Sequence, residues 1–231
     1  MMEKKFEQMR KELVKKLRMQ KLIAKSEVEM AFLNTPREEF IWPSLVQEAY
    51  SDVPLPLGTT GQTISAPHMV AIMLEELELS TGDHVLEIGG GSGYNAALMA
   101  YIISDGKRIK GGQVTTIERV PELALFASEN IKKISYSEYV KVIEGDGSMG
   151  FPAHLEKELY HKIVITAAAP KLPRILIKQL KIGGIILAPI GGSFYQILTK
   201  GRKKENGQID ITKSIECVFV PLVGEDGYPE Y

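Results

Sequence analysis

One short run constrains this chain more than any other. The apolar stretch His84-Val-Leu-Glu-Ile88 leads without a break into Gly89-Gly-Gly-Ser-Gly93. A short apolar run bounded by glycines reads as a buried strand. In a doubly wound sheet the ligand sits beyond the strands' C-terminal ends, and the first strand-to-helix turn is its closest approach. Glycines there strip away side chains, so the backbone can wrap a ligand and the next helix can offer its amides. A dinucleotide fingerprint needs glycine at three positions of G-x-G-x-x-G. Gly89 and Gly91 supply two, but Tyr94 takes the third. The pattern is instead acidic, with Glu87 followed by Gly89, Gly91 and Gly93. A carboxylate in the turn suits a cation better than a pyrophosphate. S-adenosylmethionine, with a sulfonium, an ammonium and no phosphate, fits that demand. A turn that binds nothing is the competing reading, and four glycines within 89–93 weigh against it.

The rest of the chain supplies a sheet around that turn. Apolar residues Phe6, Met9, Leu13, Leu17, Leu22 and Ile23 recur near helical spacing and predict helix over 1–34. Thr35-Pro-Arg-Glu38 carries the signs of a second helix start, with Thr35 as cap, Pro36 first in the helix and Glu38 completing a capping box. Residues 51–62 read as a long functional loop. Met69, Val70, Met73, Leu74 and Leu77 form one helical face. Strands at 84–88, 113–117, 140–143, 162–166 and 184–189 then alternate with helices at 94–103, 121–134 and 173–180. Such alternation predicts an α/β fold, Rossmann-like and doubly wound, its mostly parallel sheet carrying helices on both faces. An N-terminal helical extension and a C-terminal antiparallel hairpin, 195–199 and 214–221 about a 201–207 turn, complete it. We divide the chain into an N-terminal part, 1–80, packed on a cofactor-binding core, 81–231, in one structural domain.

Two more acids fall at the same sheet edge. Glu118 ends the second strand beside Arg119, where a carboxylate can accept both hydroxyls of a ribose. Asp146, between Gly145 and Gly147, could accept from an adenine amine, although Asp-Gly is also an ordinary turn. Ser65, before Ala66-Pro67, reads on spacing alone as an N-cap, with no His–Asp pairing to mark a nucleophile.

Composition narrows the partners. Lys plus Arg total 28 against 29 Asp plus Glu, which argues against nucleic acid as a partner. The basic run 200–204 reads as a solvated hairpin turn. The single Cys217 excludes an internal disulfide and a cysteine-rich metal site, and no metal is expected. No apolar run reaches membrane-span length and the charged N-terminus lacks a signal-peptide core, so a cytoplasmic protein is expected, with no membrane partner. Four asparagines among many Lys and Glu hint faintly at a hot source. The additions at both ends could support a homo-oligomer.

Several runs together resemble the protein-L-isoaspartate O-methyltransferases. They are Pro54-Leu-Pro-Leu57, Gly61-Gln-Thr-Ile-Ser-Ala-Pro-His-Met69, Val85 through Tyr94, Ile117-Glu118, Gly145-Asp-Gly147, Val164-Ile-Thr-Ala-Ala-Ala-Pro170 and Phe219-Val-Pro-Leu222. The resemblance spans most of the chain, and the Gln-Thr-Ile-Ser and Thr-Ala-Ala-Ala-Pro runs are its specific parts. It implies methyl transfer from S-adenosylmethionine to the free α-carboxylate of L-isoaspartyl residues in damaged proteins, which then return to a succinimide. It also implies that Ser65 stands at the reacting carboxylate, as an orienting donor. Gln62, Thr63 and Ile64 would line the same pocket, and Thr166 and Gly147 would join the cofactor set. Two departures stand out. The Gly58–Gly61 link is one residue longer than usual, which could alter a lid, and Gly90 replaces a common Thr or Ser, a change that should be tolerated. Rival readings are a methyltransferase of the same fold acting on a small molecule, RNA or arginine, a nicotinamide oxidoreductase, and a non-enzymatic module keeping the fold.

Overall fold

The structure, a computed structural model, describes residues 2–192 and 194–229. Helix α1, Met2–Met19, and helix α2, Ser26–Asn34, replace the single helix expected over 1–34. Lys21 causes the break. It adopts a left-handed φ of 60°, while Lys21 N–H reaches Arg18 O and Leu22 N–H reaches Leu17 O, which closes α1 in a Schellman turn. The second start signal also fails. Thr35 closes α2 instead, Pro36 precedes only a 3-10 turn at Arg37–Phe40, and no side-chain cap forms there.

The loop over 51–62 is real but pinned. Strands β1, Leu55–Pro56, and β2, Thr63–Ile64, pair antiparallel, and Leu57 N–H bonds Gln62 O at 2.9 Å. The long link therefore closes as a tight hairpin tip. Gly58 makes this possible: its φ is +63°, and a Cβ there would lie 2.9 Å from Trp42 Cζ2.

Helix α3, Pro67–Leu77, carries the expected apolar face. The alternating elements follow: β3 His84–Ile88, α4 Tyr94–Ile103, β4 Gln113–Glu118, α5 Pro121–Lys133, β5 Val140–Glu144, β6 Tyr160–Ile165, α6 Arg174–Gln179 and β7 Leu180–Gly191. Strands β8, Gln196–Lys203, and β9, Ile209–Cys217, finish the sheet in the order β5-β4-β3-β6-β7-β8-β9. Pairing is parallel through β7 and antiparallel beyond it. Helices α3, α4 and α5 with the N-terminal pair build one core on one face; α6 and residues such as Leu86, Ile163 and Ile186 build a second on the other.

The C-terminal hairpin runs deeper than expected. Lys200 and Lys203 belong to β8 rather than to a solvated turn, because each is drawn inward. Lys200 Nζ meets Glu78 and Glu76, and Lys203 Nζ donates to the carbonyls of Ile177 and Leu180. Residues 218–221 leave the strand. Among the described residues, no helix is long and apolar enough to cross a membrane.

This order fixes where a ligand can sit. The chain lays down β3, β4 and β5 to one side, then crosses back to place β6 beside β3. Neighbouring strands whose connections depart in opposite directions leave a crevice at their C-terminal ends. Here it opens between Gly89 and Thr166.

Candidate active site

Three glycines shape the floor of that crevice. Gly89, Gly91 and Gly93 take left-handed φ values of 94°, 54° and 84°, a region that costs a side-chain-bearing residue strain. Thr166 explains the first. Its hydroxyl lies 2.9 Å from Ile88 O and 2.5 Å from Gly89 O, and a Cβ on Gly89 would fall 2.4 Å from it. Gly93 precedes α4 directly, so Tyr94 begins the helix with its ring buried. Glu118 ties the turn to β4 by accepting from Gly91 N–H at 2.8 Å and from Val120 N–H at 2.9 Å.

Glu87 lies under the turn, fully buried. Thr116 Oγ1 donates to one carboxylate oxygen at 2.6 Å and Asn95 Nδ2 to the other at 2.7 Å. Burial pushes this carboxyl up to about 7; the two hydrogen bonds oppose the rise and the charge of Glu118 adds to it. Asn95 Oδ1 is buried with no hydrogen-bond partner among the described residues, although its residue lines the cavity. The wall thus presents surplus acceptors: Glu87, Glu118, and an orphaned amide oxygen. A ligand bearing an ammonium group and two ribose hydroxyls supplies matching donors, so S-adenosylmethionine fits these residues.

One cavity gathers most of the predicted residues. Gln62, Thr63, Ile64, Ser65, Glu87, Gly89, Gly91, Glu118, Arg119, Gly147 and Thr166 all line it. Gly147 must be small, since a Cβ there would lie 2.6 Å from Ile88 Cγ2. Gly93 stays behind the lining and sets the helix start.

Ser65 is not the cap its spacing suggested. Ala66 holds that position without a side-chain hydrogen bond, and Pro67 opens the helix. The Ser65 hydroxyl is half-buried and makes no hydrogen bond among the described residues, while its carbonyl accepts from Arg37 Nη2 at 2.9 Å. A His–Asp pair does stand nearby, contrary to the sequence reading: His68 Nδ1 lies 2.8 Å from Asp52 Oδ1, which also accepts the His68 amide. Neither reaches the Ser65 hydroxyl, so no nucleophilic triad closes.

Asp146, like Gly93, is an expected cofactor residue that does not itself line the cavity, and its carboxylate is engaged by backbone amides. It accepts from Ser148 N–H at 2.8 Å and Glu225 N–H at 2.9 Å. Gly224 permits this approach, because a Cβ there would stand 2.2 Å from Asp146 Oδ1. The carboxylate thereby pins a C-terminal strap whose residues Val220, Pro221, Leu222 and Val223 close one side of the cavity. Reciprocal backbone bonds hold the strap to Ala168, 2.7 Å from Ala168 N–H to Val220 O and 2.8 Å from Leu222 N–H to Ala168 O. Sequence reasoning missed this strap's role, and also Asn95, Val70 and Met73. The run Phe219-Val-Pro-Leu222 was the available signal for the strap.

Comparison with known proteins completes the description. The sequence profile of the Protein-L-isoaspartate(D-aspartate) O-methyltransferase family matches residues 7–227. A protein-L-isoaspartate O-methyltransferase of Staphylothermus marinus is 46% identical over 229 residues, covering 99% of this chain and 100% of that protein. Its counterpart in Hyperthermus butylicus is 48% identical, covering 98% and 93%. A crystal structure from Plasmodium falciparum, assigned to the same activity and solved with S-adenosyl-L-homocysteine, superposes with a TM-score of 0.81 at 30% identity. It covers 92% of this chain and 97% of that one.

Proposed function

The chain belongs to the protein-L-isoaspartate(D-aspartate) O-methyltransferase family, and we propose from its geometry how it does that family's work. It is an S-adenosylmethionine-dependent protein carboxyl methyltransferase, transferring a methyl group to the free α-carboxylate of L-isoaspartyl residues. Damaged, isoaspartyl-containing proteins are its substrates. When bound, the cofactor supplies an electrophilic methyl group on a sulfonium that leaves as a neutral sulfide.

The chain's own residues divide the remaining tasks. Glu118, which holds the Gly91 amide, would accept the ribose hydroxyls. Glu87 and Asn95 would hold the ammonium group, and Gly89, Gly91 and Gly147 would give the ligand room. Arg119 and Thr166 border the same space. The acceptor needs no general base, since a carboxylate with a pKa near 4 is ionised at pH 7. What it needs is alignment, one oxygen held at roughly 3–3.5 Å from the carbon it attacks. The single observation that carries this reading is the Ser65 hydroxyl, without a hydrogen bond among the described residues and on the same cavity as the glycine turn. We assign it to orient one carboxylate oxygen, with Thr63 as a second polar contact. Damaged sites share no side chain, so the acceptor enters as an extended segment read through its backbone between the 62–65 loop and the C-terminal strap.

Labelled methyl transfer to an isoaspartyl peptide tests the reading. The product should be an alkali-labile ester that releases methanol as it closes to a succinimide; a stable amide or ether methyl would contradict it.

A further inference from the structure

The most unusual group outside the assigned site is Arg37. Its side chain is fully buried, 0% exposed, yet no carboxylate among the described residues stands within ion-pair distance. Its partners are neutral. Nε donates to Ala49 O at 2.8 Å and Nη2 to Ser65 O at 2.9 Å, and the guanidinium lies over the Tyr94 ring, 4.9 Å from its centroid. Nη1 is buried without a hydrogen bond of normal geometry among the described residues. The Asp52 carboxylate acts on this charge from beyond ion-pair distance. Burying a cation without a contacting counter-ion is costly, and a neutral donor could hold the same two carbonyls at less cost.

Its neighbours suggest what the charge is for. Ser65 and Tyr94, which it touches, both line the cavity, whereas Arg37 itself does not. Elsewhere on that lining stand the carboxylates Glu87 and Glu118, which repel an incoming anion. A cation behind Ser65, in a region of low dielectric, opposes that repulsion on the acceptor's side. We propose that Arg37 is a positioning residue for the acceptor. It fixes the Ser65 segment through its carbonyl, and its buried charge draws the isoaspartyl carboxylate toward Ser65. This rests on the reading that the acceptor carboxylate meets Ser65.

The test separates charge from clamping. Calorimetry measures an isoaspartyl peptide binding to enzyme loaded with S-adenosylhomocysteine, which lacks the sulfonium charge. Its neutral isoasparaginyl analogue is measured alongside. Arg37→Met should bind S-adenosylhomocysteine within about twofold of the native protein, yet lose at least about tenfold in affinity for the charged peptide, the scale of one charge-assisted contact. Arg37→Lys should recover most of that loss, and only Arg37→Met should lose the preference for the charged over the neutral peptide. Equal losses for both peptides, or equal losses in Met and Lys variants tracking their melting temperatures, would reduce Arg37 to a clamp and overturn the proposal. Should Arg37→Met fail to fold, the native enzyme decides. Attraction by a buried charge is little screened, so peptide affinity should change by no more than about twofold between roughly 0.05 and 0.5 M salt. A tenfold fall would place the attraction on exposed cations and refute the inference. If the native enzyme binds no isoaspartyl peptide at all, the functional reading itself fails.

Discussion

Gly90 and Thr116 share one space. A Cβ built on Gly90 would stand 2.6 Å from Thr116 Oγ1, the hydroxyl that donates to Glu87 at 2.6 Å. Thr116 thus fills, from the next strand, the place that a side chain at position 90 would take. Gly90→Ser should push that hydroxyl aside and leave Glu87 short of a donor. An unsatisfied buried acceptor costs about 1–3 kcal/mol, so affinity for S-adenosylhomocysteine should fall about tenfold. Combining it with Thr116→Ala returns the space but not the donor to Glu87, so the double variant should bind no tighter than the single one. Calorimetry on the two variants checks this, and an unchanged single variant would contradict it.

Glu87 should give the ligand-free protein a specific pH dependence. Burial raises its carboxyl from 4.5 to about 7. The folded state then holds more protons than the unfolded one between those values, so stability falls as pH rises through the window and stays lower above it. Glu87→Gln removes that slope, so the difference in melting temperature between native and variant should widen from pH 5 to pH 8 in the variant's favour. Cofactor affinity should move the other way, rising with pH in the native protein as the carboxylate ionises beside the ligand's ammonium group. Parallel melting curves across that range would sink the assignment.

Glu78 carries the opposite sign. Burial would raise its carboxyl, but hydrogen bonds from Lys200 at 2.6 Å and Arg202 at 2.7 Å outweigh it and hold the group at about 2. Its contribution is present above the unfolded value of 4.5 and disappears as pH falls through about 2. The pair is partly exposed, so the effect is small and weakened by salt. Glu78→Gln should melt lower than the native protein at neutral pH, and the gap should close by about pH 2. A gap that persists in acid would point to lost packing.

Ser65→Ala should lower kcat by about a hundredfold, the scale for removing one oriented donor at a reacting oxygen. Binding of S-adenosylhomocysteine should stay within about twofold, because the hydroxyl makes no bond that supports the cofactor's wall. Single-turnover rates alongside calorimetry measure both, and undiminished transfer would remove Ser65 from the mechanism.

The parallel core was legible because its signals are local. The 84–88 strand, the helix starting at Tyr94 and the acids at 87 and 118 announce themselves within a few residues of their glycines. What escaped depends on distant partners. Lys21 breaks the first helix by a left-handed turn that its own propensity does not show. Lys200 and Lys203 read as solvated until Glu78, Glu76 and the carbonyls of α6's end draw them inward. Asp146 resembles a ligand contact in sequence, but Glu225, 79 positions on, claims its second oxygen. Arg37 sat inside a plausible capping box, and only the fold brings it to Ser65.

The central claim is that the cavity admits one carboxylate chemistry. Steady-state methyl transfer should be measured on two peptides that differ only in one linkage, L-isoaspartyl against normal L-aspartyl. The geometry predicts saturable transfer to the first, with kcat/KM at least about 10³-fold above the second, because a normal backbone leaves no free α-carboxylate for Ser65 to orient. Comparable transfer to both peptides, or to neither while S-adenosylhomocysteine binds normally, would contradict the account.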